Sequence, residues 1–175
     1  WITPLIWGAY FSSSVAAFLY ASWGPIFLET LGLTRESAAL MGAVSGLLGA
    51  ISSVMLLRFT EVKGPRSIAL FPLLALPFNL LIGFGLLGPT LVIPAIFIGT
   101  VLMGAGHASV ISITSIFYPS SIRSNAGGWA SAVAKIGGVL GPIIGAQFVS
   151  DSHHVLRAFL LSAGCMAAIA LCVLS

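Results

Sequence analysis

Residues 118–145 read YPSSIRSNAGGWASAVAKIGGVLGPIIG, an apolar, glycine-dense stretch with a single cation, Lys135, well inside it. About 20 such residues cross a bilayer as a helix, so the stretch is read as a membrane span. Lipid solubility does not require the lysine. A charge near the bilayer centre costs roughly 3 kcal/mol or more, which makes Lys135 a functional candidate by default. The alternative is a structural lysine that snorkels to an interface or holds a backbone carbonyl.

The rest of the 175-residue chain fits a polytopic membrane protein: 58% hydrophobic, 6% charged, twenty glycines. Apolar runs of spanning length fall at about 5–28, 38–57, 67–87, 90–112, 126–149 and 155–174, six transmembrane helices in one domain. Apart from Lys135, the charges sit at span ends or in the connections. Arg58, Lys63, Arg66 and Arg123 lie in the second and fourth connections, against Arg35 and Arg157 in the others. The cytoplasmic side is the richer in Lys and Arg, so both ends of the chain are expected to be cytoplasmic. The formal charge of +3 reflects this bias, and nucleic acid is not an expected partner. The chain opens on Trp1 without a signal-peptide pattern and is read as a fragment with something upstream missing.

Taken in order, the spans repeat in character. The first and fourth are polar, with Tyr10, Ser12, Ser13, Ser14 and Tyr20, then Thr100, His107, Ser109, Ser112 and Thr114. The second and fifth are rich in small residues, with Gly42, Gly46 and Gly49, then Gly127, Gly128, Gly137, Gly138, Gly141 and Gly145. Glycines at spacing four let helix backbones approach closely in lipid. The third and sixth are bland and read as lipid-facing, Asn79 being the strongly polar exception. Three helix characters repeated twice, with an odd number of spans per unit, is the pattern of an inverted three-plus-three repeat, as in secondary transporters.

Tyr118-Pro119, Ile122-Arg123, Gly127-Gly128-Trp129, Lys135-Ile136-Gly137 and Gly141-Pro142 together resemble the signature of the tenth and eleventh helices of the major facilitator superfamily. The closest similarity is to its aromatic acid:proton symporter family, and Trp23-Gly24-Pro25 in the first span resembles that family's seventh helix. The resemblance implies an all-α fold, the carboxy-terminal six-helix half of a twelve-helix transporter whose amino-terminal half lies upstream. It also implies an inner-membrane symporter that carries a small organic anion, an aromatic carboxylate, with a proton by alternating access. Two features depart from the family pattern. The loop between the second and third spans keeps only an acid, Glu61, and a glycine, Gly64, and the usual arginine of the fifth span is Lys135, a point charge instead of a bidentate fork.

The residues themselves suggest the site. A helix starting near Ser124 would put Lys135 about 16 Å along it, close to the midplane of a core about 30 Å thick. An anionic substrate would compensate its ammonium there. Ser131 shares its face. His107 lies on a stripe with Thr100 and Thr114, as a substrate hydrogen-bond partner, a proton relay, or a neutral histidine satisfied by a neighbouring helix. On the first span Tyr10 and Ser14, flanked by Trp7, Phe11 and Phe18, would suit a planar ring or serve as packing surface. Expected substrate contacts are therefore Lys135, His107, Tyr10, Phe11, Ser14, Thr100 and Ser131. Arg123, Glu61 and Pro142 are the conformational candidates, Pro142 as a bend.

Glu29, Glu36, Glu61 and Asp151 all fall at span ends, so a coupling carboxylate would have to come from the other half, leaving His107 as the ordinary protonation switch. No Walker loop or His-Glu-x-x-His motif occurs; His153-His154 reads as a solvated pair, and neither metal nor cofactor is expected. Cys165 and Cys172, about 10 Å apart on one helix, read as packing thiols. The alternatives are a major facilitator transporter of another metabolite class, a channel or membrane scaffold, or, remotely, an intramembrane serine protease. For the protease, Ala43-Val44-Ser45-Gly46 lacks the first glycine of a Gly-x-Ser-Gly motif.

Overall fold

The computed structural model describes residues 2–149 and 152–175. Its helices are α1 (Ile2–Thr30), α2 (Arg35–Lys63), α3 (Leu70–Gly83), α4 (Pro89–Ile111), α5 (Ile113–Phe117), α6 (Ser120–Gly145) and α7 (Ser152–Leu174), with short 3-10 segments at Pro65–Ala69 and Ala146–Phe148. Six helical stretches are long and apolar enough to cross a membrane, the fourth being α4 and α5 together. The chain is an all-α membrane protein.

The helix ends follow local chemistry more than hydropathy. The α2 helix starts at Arg35 because Thr34 caps it, its Oγ1 accepting the Ser37 N–H at 3.3 Å. It stops at Gly64, whose φ of 88° suits glycine and whose N–H returns to the Thr60 carbonyl at 2.8 Å. Hydropathy windows miss such polar ends, so α6 begins at Ser120 rather than 126, while α3 ends at Gly83 rather than 87. The Gly127-Gly128-Trp129 motif lies within this helix. The fourth span breaks at Ser112. Ser109, Ser112 and Ser115 each donate a hydroxyl back to a carbonyl three or four residues earlier, at 2.7, 2.6 and 2.6 Å, a pattern that bends helices.

The interfaces obey the expected repeat. Exchanging spans one to three with spans four to six maps the α1–α6 contact onto α4–α2 and the α3–α4 contact onto α7–α1, while α3–α7 and α1–α4 map onto themselves. Each of these pairs is an extensive contact, and α1–α6 is the largest. Because the unit holds three spans, its two copies run oppositely through the membrane. Arg58, Lys63, Arg66 and Arg123 then gather at the end of the bundle that carries residues 2 and 175.

One expectation is corrected. The sixth span is not chiefly lipid-facing: α7 buries Val155, Phe159, Ser162, Met166 and Ile169 against α1 and α3. The glycine-rich α2 and α6 are instead the least buried of the six spans, each packing one stripe and leaving the opposite face open. Hydropathy cannot tell these cases apart, since a helix packed on helices and one packed on lipid are equally apolar.

The α1–α6 contact is made by backbone. A Cβ placed on Gly141 would lie 2.6 Å from the Val15 carbonyl oxygen and 3.0 Å from the Leu19 nitrogen, and one on Gly137 would lie 2.6 Å from the Phe11 carbonyl oxygen. Gly141→Ala therefore forces the two helices apart and lowers stability by about 1–3 kcal/mol. The exposed Gly128 has no atom within 4 Å of the same construction, so Gly128→Ala is the clash-free control, at which alanine's better helix propensity should leave stability unchanged or slightly raised. Thermal denaturation of the detergent-solubilised protein should show a lower midpoint for the first variant alone.

Candidate functional site

The geometry of α6 fixes the direction of Lys135. Ala130, Gly137, Gly141 and Gly145 form its buried stripe against α1. At 100° per residue Lys135 points about 120° away from that stripe, on the face shared by Gly128, Ser131, Gly138 and Pro142. Lys135 and Ser131 are both exposed. The helix begins four residues earlier than the sequence suggested, which moves Lys135 to fifteen residues from Ser120 and ten from Gly145, within about 4 Å of mid-length. Among the described residues it has no hydrogen-bond or ion-pair partner.

His107 of α4 reaches the same turn of α1. Its Nδ1 lies 3.1 Å from the Ser13 hydroxyl, while Gly137, two residues from Lys135, sits against the Phe11 carbonyl and Ser14. Gly137 of α6 and His107 of α4 thus both meet α1 at residues 11–14, while Lys135, two residues from Gly137, points away from α1. Phe18, one turn on, links the flanks. Its ring packs on Gly138, where a Cβ would lie 3.3 Å away, and meets the His107 ring edge-on at 6.4 Å between centroids. Phe18 is 47% exposed, so part of its ring lies open between Gly138 of α6 and His107 of α4.

Not every expected contact joins this face. Tyr10 is only 2% exposed: its hydroxyl donates to the Ile111 carbonyl at the α4–α5 break and lies 3.2 Å from Thr114 Oγ1. That phenol holds the broken fourth span together. Ser14 is buried under Gly137, and Phe11 is half-buried. Thr100 lies on the wall of a separate cavity between α1, α2 and α4, with its hydroxyl bonded to the Ile96 carbonyl at 2.7 Å.

Sequence alone does not set Phe18 and Ser13 apart from their neighbours on α1, because the exposure of Phe18 depends on where Gly138 lets the ring lie and the Ser13 partner is on another helix.

Of the conformational candidates, Arg123 and Glu61 lie at helix ends, while Pro142 shares the Lys135 face of α6. Arg123, in the first turn of α6, donates its Nε to the Tyr118 carbonyl at 3.2 Å, and the Tyr118 hydroxyl reaches Thr3 Oγ1 at 2.9 Å. That chain of contacts ties the α5–α6 corner to the start of α1. Glu61 is in the last turn of α2, and its side chain lies outside the described ones. α6 runs without interruption through Pro142, whose carbonyl accepts the Trp23 indole N–H at 2.9 Å, so the expected bend is not a break in this helix. Cys165 and Cys172 are free thiols.

No family model matches the chain. Among curated proteins it is 30% identical to the 4-hydroxybenzoate transporter PcaK of Acinetobacter baylyi, over 99% of this chain and 38% of that protein. It is 27% identical to the gentisate transporter of Corynebacterium glutamicum, over 99% and 40%, and 26% identical to the 3-(3-hydroxy-phenyl)propionate transporter of Escherichia coli, over 85% and 37%. The chain spans about two fifths of the length of these relatives. The similarity to these proteins, each named as a transporter of an aromatic acid, thus covers 85–99% of the chain, which is a homologue of bacterial aromatic-acid transporters.

Proposed function

We propose that this chain is the carboxy-terminal half of an inner-membrane symporter that moves an aromatic carboxylate together with a proton by alternating access. The observation that carries the reading is the exposed Lys135 at mid-helix, without a partner among the described residues and level with His107 across α1. A desolvated ammonium there is costly alone and favourable with a carboxylate beside it. Phe18 offers a face for the ring of such a substrate, and offset or edge contacts between aromatic rings add stabilisation beyond burial. The substrates named for the relatives are all aromatic acids, which supports the same ligand class.

Both chain ends are assigned to the cytoplasm, since the four cations of the second and fourth connections would then lie inside. The open faces of α2 and α6 would receive the amino-terminal half, which would also supply the carboxylate for proton coupling, because the acids among the described residues, Glu29, Glu36 and Glu61, lie at helix ends. His107 is the group within this half suited to exchange a proton, and Ser13 holds its ring.

Two substitutions test the assignment in the full-length protein. Lys135→Gln should lower uptake of 4-hydroxybenzoate by at least about 30-fold, as expected when one partner of a desolvated charge pair is removed, with membrane insertion unchanged. Uptake that stays at the parent level would refute the role of the lysine. Phe18→Ala should raise the apparent KM about three- to tenfold with little change in maximal rate, whereas Phe18→Tyr should keep the parent value. Initial-rate uptake over a range of substrate concentrations separates these outcomes.

A further inference from the structure

Between α1, α2 and α4, away from Lys135, lies a cavity of about 420 Å³. One side is a rigid aromatic wall. Tyr20, Phe27 and Phe159 are all buried, with Tyr20 edge-on to Phe27 at 6.2 Å and tilted on Phe159 at 5.4 Å between centroids. The opposite side is built of small residues, among them Ala17, Ala21, Gly42 and Gly46, which leave a space wide enough for a planar ring. Among the described residues that line it, none is charged.

Its polar groups have a common feature. The side chains that bring oxygen to this wall are Ser45, Thr100 and Tyr20, and the hydroxyl proton of each is already used inside the protein. Ser45 donates to the Gly42 carbonyl at 3.0 Å, Thr100 to the Ile96 carbonyl at 2.7 Å, and Tyr20 to Asn79 Oδ1 at 3.4 Å. A hydroxyl whose proton is committed offers only lone pairs to a ligand. The surrounding backbone N–H groups are engaged in helices, so the cavity presents acceptors without donors. A carboxylate, itself acceptor-only, finds no partner there, and a ring bearing an O–H finds several.

We infer that this cavity is a binding site for a neutral phenolic ring, with Thr100 Oγ1 and Ser45 Oγ as acceptors of its hydroxyl proton. The inference deepens the transport reading above, since the ring hydroxyl of a substrate is one source of such a group and a free phenol is the other. It does not depend on Lys135, which holds the opposite charge chemistry. Sites built to bond a ligand hydroxyl discriminate strongly against analogues that lack it.

The test is equilibrium binding of radiolabelled phenol to the full-length protein in nanodiscs, with anisole, which cannot donate, as the competitor of matched shape. Phenol should bind saturably and anisole should compete at least tenfold less well. Thr100→Val, which keeps the shape and removes the acceptor, should weaken phenol binding about five- to tenfold. Thr100→Ser should retain it, which separates a lost acceptor from a misfolded variant. Displacement of phenol by 4-hydroxybenzoate would assign the cavity to the substrate ring, and its absence would assign it to free phenols. Equal competition by phenol and anisole, or a Thr100→Val protein that binds like the parent, overturns the site. Because phenol has no carboxylate, its binding persists even if Lys135→Gln leaves uptake intact, so the two readings fail separately.

Discussion

The close approach of α1 and α6, backbone against backbone, sets the rest of the arrangement. Water drives no association between helices in lipid, so contact must come from packing, and packing is tightest where side chains are absent. Gly137 and Gly141 meet the carbonyls of Phe11 and Val15, and Gly145 meets the Trp23 ring. Once that stripe is fixed, helical geometry leaves Lys135 no choice of face. It must point away from α1, toward the open side of the half-transporter.

The same contact accounts for the residues that left the site. The α6 stripe covers Ser14, and the broken α4–α5 span draws in Tyr10 to bond the Ile111 carbonyl. Phe18 stays open on α1, propped by Gly138 on one side and His107 on the other. Cation, aromatic face and imidazole therefore come from three helices, and the glycines of α6 decide their spacing. In the other repeat unit Gly49 performs the matching task, approaching the Val101 carbonyl and Gly104 of α4, with the phenol-accepting cavity beside that crossing.

Much of this was legible in the sequence. Hydrophobic length marked six spans, glycine spacing marked the close-packing helices, and the cost of a charge at mid-membrane depth marked Lys135 as a candidate. The threefold alternation of helix character revealed the repeat that the interfaces obey. Other features could not be read. Which face of α1 lies under α6 depends on backbone approach, so Tyr10 is buried and Phe18 exposed. The buried state of α7 was hidden because protein and lipid neighbours select the same apolar residues. The committed hydroxyl protons of Ser45 and Thr100 appear only when each partner carbonyl is seen.

The central claim is that a cation at position 135 faces the bound carboxylate. Charge restoration measures it most directly. In the full-length protein, Lys135→Cys should lose uptake, and treatment with an aminoethylating thiol reagent should restore a substantial part of it by rebuilding an ammonium at nearly lysine length, whereas a neutral methylating reagent should restore none. Bound 4-hydroxybenzoate should also slow the modification. Equal uptake before and after aminoethylation, with the thiol fully modified and the parent protein unaffected by the reagent, would contradict the account.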